Sequence, residues 1–334
     1  MLPKVYVILV NWNGEKDTIP CLDTLLTVNY DNMHVVISDN GSQTQSIKAL
    51  KDWAQFNKLQ MTSPDAASPI ENTSLRIKTL CLIESKKNLG FTGANTAGIN
   101  YALEHNAAYV LFLNNDTLVT ENFLVQMIDV AESESTYGML GCKTYFADKD
   151  AITGKHKIWS LGGYEYVYGN PMNIGSKQFD RLEWKGVREN DLICGCCMLI
   201  RRKVIETIGV QDDDLFFGID DVEYSLRARE NGWENVLVLD AVIYHSGSHS
   251  VEGRTGLQLY YLFRNTYYFR NKYFPWYQNV VFFTHHLFRY FLIGGVGRFV
   301  LGRGSANIGM ISGIYDFLSG NMGECKHMRL LKKE

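Results

Sequence analysis

The sequence has almost no net charge, no glycine-rich phosphate fingerprint, no uninterrupted apolar run long enough to span a membrane, and no cysteine framework. Each absence removes a class of function. With 33 Lys plus Arg against 36 Asp plus Glu, the formal net charge is −3, whereas a whole-protein nucleic-acid binder needs a basic footprint that neutralises phosphates. The first apolar run is followed by Asn11-Trp12-Asn13-Gly14 rather than G-x-G-x-x-G, which disfavours a hydride-transfer enzyme. No G-x-x-x-x-G-K-[ST] segment supplies the cradle of a P-loop nucleotidase. The longest candidate span, residues 280–301, is interrupted by His285, His286, Arg289 and Arg298, and a span needs ~20 mainly apolar residues. The opening segment carries Pro3 and Lys4 and no small-residue cleavage site, so no secretory signal is expected and the chain reads as cytosolic. Seven cysteines, an odd count, fit reduced and buried thiols. Cys194 and Cys197 form a C-x-x-C without a second pair or a histidine cluster, which reads as part of a buried strand and not as a zinc site.

What is present suits a folded enzyme. The 334 residues are 46% hydrophobic and 21% charged, enough apolar surface for a real core in two folding units or one enlarged α/β domain. Short β-branched runs alternate with helical stretches: strands are expected at residues 5–10, 34–38, 75–83 and 109–113, helices at 17–28, 43–57 and 91–105. This rhythm predicts a parallel sheet with crossover helices. Residues 59–74, with two prolines among polar residues, read as an exposed inserted loop. Residues 139–200 are rich in Gly and Tyr and read as a mixed region built onto the first sheet. Residues 255–334 differ again, with ten Lys/Arg against three Asp/Glu and a crowd of aromatics such as Tyr260, Phe263, Tyr267, Trp276, Phe283 and Phe288. Basic and aromatic together suggest a helical region that lies on a membrane interface; a core-packing helix explains the apolar residues equally well. The expected organisation is therefore a catalytic domain over residues 1–254, split into a nucleotide-binding half (1–120) and an acceptor half (121–254), followed by the C-terminal region 255–334.

Polar groups gather where strands end, and in open α/β sheets that is where ligands bind. Three carboxylate groups stand out: Asp39 in Ser38-Asp39-Asn40-Gly41-Ser42, Asp116 after Asn114-Asn115, and Asp220-Asp221-Val222-Glu223. Each alone reads as a helix or turn cap; three together point to a site.

The segments VYVILVNWNG, ISDNGS, NLGFTGANTAGINYAL, YVLFLNNDT and GCCMLIRRKVIETIGVQDDDLFFGIDDVEYSLRARENGW, in this order over about residues 4–250, resemble glycosyltransferase family 2, in its rhamnosyltransferase-like branch. The resemblance implies a GT-A (Rossmann-like) fold with a mixed sheet flanked by helices, a nucleotide-sugar donor, a divalent cation (Mn²⁺ or Mg²⁺) and inversion at the anomeric carbon. It makes Asp116 the metal ligand that closes a D-x-D motif whose first carboxylate is here Asn114, one charge fewer for the cation. It adds His245 to the metal site, with His249 as competitor, and makes Asp221 the general base. Asp220 is the runner-up for that role, more suited to capping the helix or touching the acceptor. Residues 221 and 223 of a helix start point to different sides, so one alone faces the donor.

Nucleotide recognition then falls to Asn11, Asn13 and Asp39 for base and ribose, with Lys87 and Asn88 in reach and Asn95 near the diphosphate. Gly195 is expected to allow close approach of sugar or acceptor, and Trp184 to stack on a sugar or sit in the core. The function expected is transfer of a sugar to a glycan or lipid-linked glycan in cell-surface polysaccharide synthesis, peripheral on the inner face of the cell membrane. Candidate donors are dTDP-linked rhamnose and UDP-linked galactose, glucose or N-acetylglucosamine. Two other readings remain: a sugar-1-phosphate nucleotidyltransferase, which would want a basic glycine-rich loop after the first strand, and a non-catalytic glycan-binding relative.

Overall fold

The computed structural model describes residues 2–65, 75–163, 173–246, 255–293, 304–327 and 331. In chain order the elements begin with β1 (Val5–Asn11), α1 (Glu15–Leu25), β2 (Met33–Asp39), α2 (Thr44–Phe56), β3 (Met61–Thr62), β4 (Ile77–Glu84), α3 (Gly90–Glu104) and β5 (Tyr109–Leu113). The second part of the sheet domain adds β6 (Thr117–Val119), α4 (Phe123–Ser133), β7 (Tyr137–Lys149), β8 (His156–Ser160), β9 (Val187–Glu189), β10 (Cys197–Arg201), α5 (Arg202–Ile208), α6 (Asp220–Glu230) and β11 (Glu234–His245). Among the described residues three α-helices follow, α7 (Gly256–Tyr273), α8 (Trp276–Leu287) and α9 (Gly304–Leu318), with a π-helical stretch at Phe288–Ile293 after α8.

The described strands form one mixed sheet in the order β3-β4-β2-β1-β5-β10-β7-β11-β6, with β8 beside β7 and β9 beside β11. β1, β2, β4 and β5 are parallel, and their near-continuous apolar sequences follow from burial on both faces. One face is covered by α1, α2 and α4 through Leu22, Leu25, Trp53, Phe123 and Met127. The other is covered by α3, α5 and α6 through Ile99, Ala102, Val204, Tyr224 and Ala228. The α/β sandwich expected from the alternating pattern is therefore present.

Local differences have local causes. Residues 61–62, inside the expected loop, pair in parallel with Leu80 and Cys81 and bury Thr62; two residues carry no periodicity to read. Residues 66–74 of that loop lie outside the described residues. The first helix begins at Glu15, because the Gly14 carbonyl accepts from the Asp17 and Thr18 amides, and closes at Leu25, two to three residues earlier at each end than expected. All seven cysteines are free and buried. β10 begins only at Cys197, with Cys194 to Cys196 forming the turn before it, so the C-x-x-C is half turn, half strand.

The C-terminal helices divide in character. α7 starts on a capping box between Thr255 and Gln258 and turns its basic and aromatic residues inward: Arg264 is fully buried, as are Tyr260, Phe263 and Tyr267. Two cations of this segment, Arg264 and Arg270, are thus used inside the protein, a direction that composition alone does not reveal. α8 and α9 instead leave Trp276, Tyr277, Val281, Ile311, Tyr315 and Leu318 exposed. No described helix is long and apolar enough to cross a membrane. Arg298 lies outside the described residues.

Candidate active site

β10 runs antiparallel to both β5 and β7, and β11 is parallel to β7. The C-terminal ends of β1, β2, β5, β7 and β11 therefore share one end of the sheet with the start of β10. Asn11, Asp39, Asn114, Asp116 and His245 all stand at that end.

On the β1–β2 side the polar groups bond to one another. Asn11 and Asp39 are register partners at the last step of the ladder, and Asn11 Nδ2 donates to Asp39 Oδ1 at 2.8 Å. Asn11 Oδ1 accepts from Thr18, and Asp39 Oδ2 accepts from the Ser42 amide at 3.0 Å. Both side chains are 1% exposed or less, and their mutual bonds brace the floor of this end of the sheet. Asn13 is exposed, in the left-handed region at φ 50°. Asn13 Oδ1 accepts from the Gln43 amide and its own amide donates to Ser42. Asn88 takes the Gly90 amide on its side chain and is bonded by Asn40. Lys87 is exposed at the same rim. Asn95 lies deeper than expected: it is buried and donates to Gln211 Oε1 at 3.0 Å, in the loop between α5 and α6.

On the β5–β11 side a different cluster forms. Leu113 pairs with Cys197, and the Asn114 amide donates to the Cys196 carbonyl at 3.0 Å. The Asn114 side chain lies 3.2 Å from His245 Nε2, and the same nitrogen lies 3.2 Å from Asp116 Oδ1. His245 is buried against Trp159, ring centroids 4.5 Å apart, while a quarter of the Asp116 side chain stays open. His245 Nδ1 is buried with no hydrogen-bond partner among the described residues. One nitrogen facing a carboxylate and an amide is a donor set suited to a hard or borderline cation. The 3.2 Å separation of Nε2 and Oδ1 is close to the ~3 Å between neighbouring ligand atoms of an octahedral ion with bonds of ~2.1 Å. Among the described residues no cluster of three or more His, Cys, Asp or Glu assembles for a metal. His249 lies outside the described residues.

Across from this pair, α6 opens with the aspartates. The Gly195 amide donates to Asp221 Oδ2 at 3.0 Å, and Asp221 Oδ1 takes the Val222 amide. A Cβ on Gly195 would meet the Asp221 Cβ at 3.1 Å, a tight contact that favours glycine beside this carboxylate. Asp220 is buried, with Oδ1 accepting from the Gly218 amide and Oδ2 from Gln211. Burial, and after it the charge of Asp221, raises Asp220 to about 7. Glu223 points away, fully buried between Arg227, Lys272 and the Tyr273 hydroxyl. The different directions of residues 221 and 223 are as the helix geometry dictates.

The loop before α6 is strained. Phe216, Gly218 and Ile219 all have φ between 59° and 80°, a costly conformation for a β-branched isoleucine. Sequence reading missed what holds it: Asn265 Nδ2 lies within 3.0 Å of the carbonyls of Leu215, Phe217 and Gly218, and Arg264 donates to those of Asp214 and Leu215. An Arg-Asn pair inside an aromatic helix was the available signal. The same loop meets the β4–α3 turn, where Gly90 adopts φ 80° and a Cβ would lie 2.5 Å from the Phe216 carbonyl. Trp184 is half-buried against Ile158, Leu161 and Leu237, with Arg181 over its ring at 4.9 Å.

The mixed sheet, its two helical layers and a polar cluster at the strand ends define a GT-A-like fold. A mannosyltransferase from Pyrobaculum calidifontis, solved in complex with GDP-Man and Mn²⁺, superposes with a TM-score of 0.56 over 95% of this chain and 88% of that one, at 15% identity. Residues 6–209 match the glycosyl transferase family 2 model, and the chain belongs to that family. It is a glycosyltransferase. Among curated proteins it is similar to a low-salt glycan biosynthesis hexosyltransferase of Haloferax volcanii, 22% identical over 80% of this chain and 75% of the relative. It is also similar to a dTDP-rhamnosyl transferase of Shigella flexneri, 22% identical over 75% of this chain and 72% of the relative.

Proposed function

We propose that the protein is an inverting transferase that moves a sugar from a nucleotide-sugar donor to a glycan or lipid-linked glycan acceptor in cell-surface polysaccharide synthesis. The observation that carries this reading is the continuous linkage at one sheet end. His245 bonds to Asp116 and Asn114, Asn114 to Cys196, and the adjoining Gly195 to Asp221. A group that holds a diphosphate and a group that takes a proton are thereby fixed on one frame. Asp221 is the general base: its carboxylate, half-buried and oriented by the Gly195 amide, accepts the proton of the acceptor hydroxyl as that oxygen attacks the anomeric carbon. One displacement from the side opposite the leaving diphosphate inverts the configuration.

Asp116 and His245 would hold a divalent cation, with Asn114 beside them. When bound, that ion neutralises charge developing on the leaving diphosphate oxygens. The Mn²⁺ of the archaeal mannosyltransferase complex supports the same chemistry here. Asn13, Lys87 and Asn88, at the accessible rim of β1 and β4, are the side chains that reach the nucleotide. The Shigella relative's name makes dTDP-rhamnose the first donor to test. The enzyme works at the inner face of the cell membrane, where the exposed Trp276, Tyr277, Val280 and Val281 of α8 enter the headgroup region.

The test is a panel of nucleotide sugars with Mn²⁺ or Mg²⁺ and a short lipid-linked acceptor, followed by released nucleoside diphosphate. Turnover with one donor, lost in Asp221→Asn with donor binding retained, is expected; absence of turnover with every donor overturns the transferase chemistry. Sedimentation with anionic vesicles should fall in a Trp276→Ser/Val281→Ser variant, and equal sedimentation overturns the membrane placement.

A further inference from the structure

A large cleft beside the catalytic rim has no part in that reading. It has a volume of about 750 Å³ and lies between the β7–β8 hairpin and the end of β11, within the usual size of a small-ligand site. Four aromatic side chains line it: Tyr145, His156, Phe179 and Tyr244. The Tyr145 and Tyr244 rings stack with centroids 5.7 Å apart, and His156 lies 4.7 Å from Tyr244. The histidine is fixed by its Nδ1 contact with the Phe146 carbonyl at 2.8 Å. The wall is therefore contiguous and braced from behind. Aromatic faces in an open cleft are what the apolar C–H faces of sugar rings stack upon.

The charges in the cleft are unbalanced. Asp180 is already neutralised by the buried Lys143, 2.9 Å away. Asp150 is engaged by Lys157 at 2.6 Å. Lys149 and Lys155 also line the cleft, both are exposed, and neither forms a salt bridge among the described residues. Two positive charges thus stand beside the aromatic wall with no carboxylate assigned to them.

Position ties the cleft to the active site. Tyr244 is the residue before His245, and the two pair with Tyr145 and Phe146 of β7. Adjacent strand residues point to opposite faces, so the aromatic wall and the histidine occupy opposite sides of the same two strand ends. An acceptor chain whose terminal hydroxyl meets Asp221 can pass over that rim and lay its preceding unit in the cleft.

We propose that this cleft is an acceptor subsite for a sugar ring that carries an anionic group, the ring on the aromatic wall and the carboxylate or phosphate on Lys149 and Lys155. It rests on the transferase reading and adds to it the charge of the acceptor. The anion comes either from a carboxylated sugar or from the diphosphate of a lipid carrier, and one experiment separates these. Binding to the full chain is measured by titration calorimetry with three probes: maltotriose as the neutral saccharide, trigalacturonate as the carboxylated one, and farnesyl-diphosphate-linked N-acetylglucosamine as the diphosphate. At least one charged probe should bind about tenfold tighter than maltotriose, as charge-assisted hydrogen bonds to two lysines provide. That advantage should shrink with added salt and vanish in a Lys149→Gln/Lys155→Gln variant with an unchanged melting temperature. Which charged probe wins identifies the source of the anion. Equal binding of all three probes, binding of none, or a double variant that binds as the parent does overturns the subsite. Release of nucleoside diphosphate from the donor without acceptor reports on the transferase chemistry separately: its presence in a protein whose double variant keeps full affinity would sink the subsite alone.

Discussion

The two sides of the catalytic rim use the same residue types to opposite ends. On the β2 side Asp39, with Asn11, Asn40 and Ser42 around it, is closed on itself: each carboxylate oxygen has a protein donor and the side chain is 1% exposed. On the β5 side Asp116, beside Asn114 and Asn115, stays a quarter open and shares one imidazole nitrogen with an amide. The left-handed run at Phe216, Gly218 and Ile219 lies next to Asp221 and is held from outside by Arg264 and Asn265 of α7. Satisfied polar groups make a rigid floor, because a buried donor or acceptor without a partner costs ~1–3 kcal/mol. Groups that face an opening make a site, because a ligand can reach them.

Substitutions on the two sides should therefore fail in different currencies. Asp221→Asn keeps an oxygen for the Gly195 amide but cannot take a proton, and kcat should fall by about 10³-fold with the urea midpoint unchanged; a midpoint shift of equal weight would erase the contrast. Asp39→Ala should do the reverse. It leaves the Ser42 N–H without its acceptor and removes one of the three acceptors of the buried Asn11 Nδ2, which keeps the Ser42 and Ser46 hydroxyls, and should cost about 2 kcal/mol of stability by urea unfolding, with kcat of the folded fraction within a few-fold of the parent. His245→Ala belongs with Asp221 in its functional loss: the divalent-ion concentration for half-maximal turnover should rise about 10- to 100-fold, and truncating a ring buried against Trp159 should also cost about 2 kcal/mol of stability. Unchanged metal dependence would place the cation away from β11.

The sheet was legible because its residues report on one variable, burial. β1, β2 and β5 are apolar runs wrapped on both faces, and the helices between them have the matching period. The site was legible as a set of strand-end residues, since Asn11, Asp39, Asp116 and Asp221 stand at element boundaries in the sequence. Which of them brace and which stay open was not, because that depends on hydrogen bonds between residues 28 to 131 positions apart. Direction was the other hidden quantity. The aromatic and basic residues of 255–334 have one composition, yet Arg264 is buried under the loop before α6 while Trp276 faces outward, and the packing of α7 against residues 214–218 and against α8 and α9 separates them.

Asp220 offers the smallest and most specific contrast. It is buried beside Asp221, and its oxygens accept from Gln211 and from the Gly218 amide, with Asn95 bonded in turn to Gln211. Burial and the neighbouring Asp221 charge raise it to about 7, against ~3.9 for an aspartate in an unfolded chain. Folding thus takes up a proton between these values. The stability this group contributes is complete below about pH 4 and is lost as pH rises through about 7. Asp220→Asn fixes the side chain in a neutral form, and an amide chain through Gln211 and Asn95 can turn end for end to keep the hydrogen bonds. Relative to the parent, the variant should therefore gain stability as pH is raised from 4 to 8, by on the order of 2 kcal/mol in urea midpoints measured at each pH. A flat difference over that range would mean that Gln211 and Gly218 alone stabilise a charged Asp220. The β5 side would then be as self-sufficient as the β2 side at this residue, and the openness that defines the site would narrow to Asp116, His245 and Asp221.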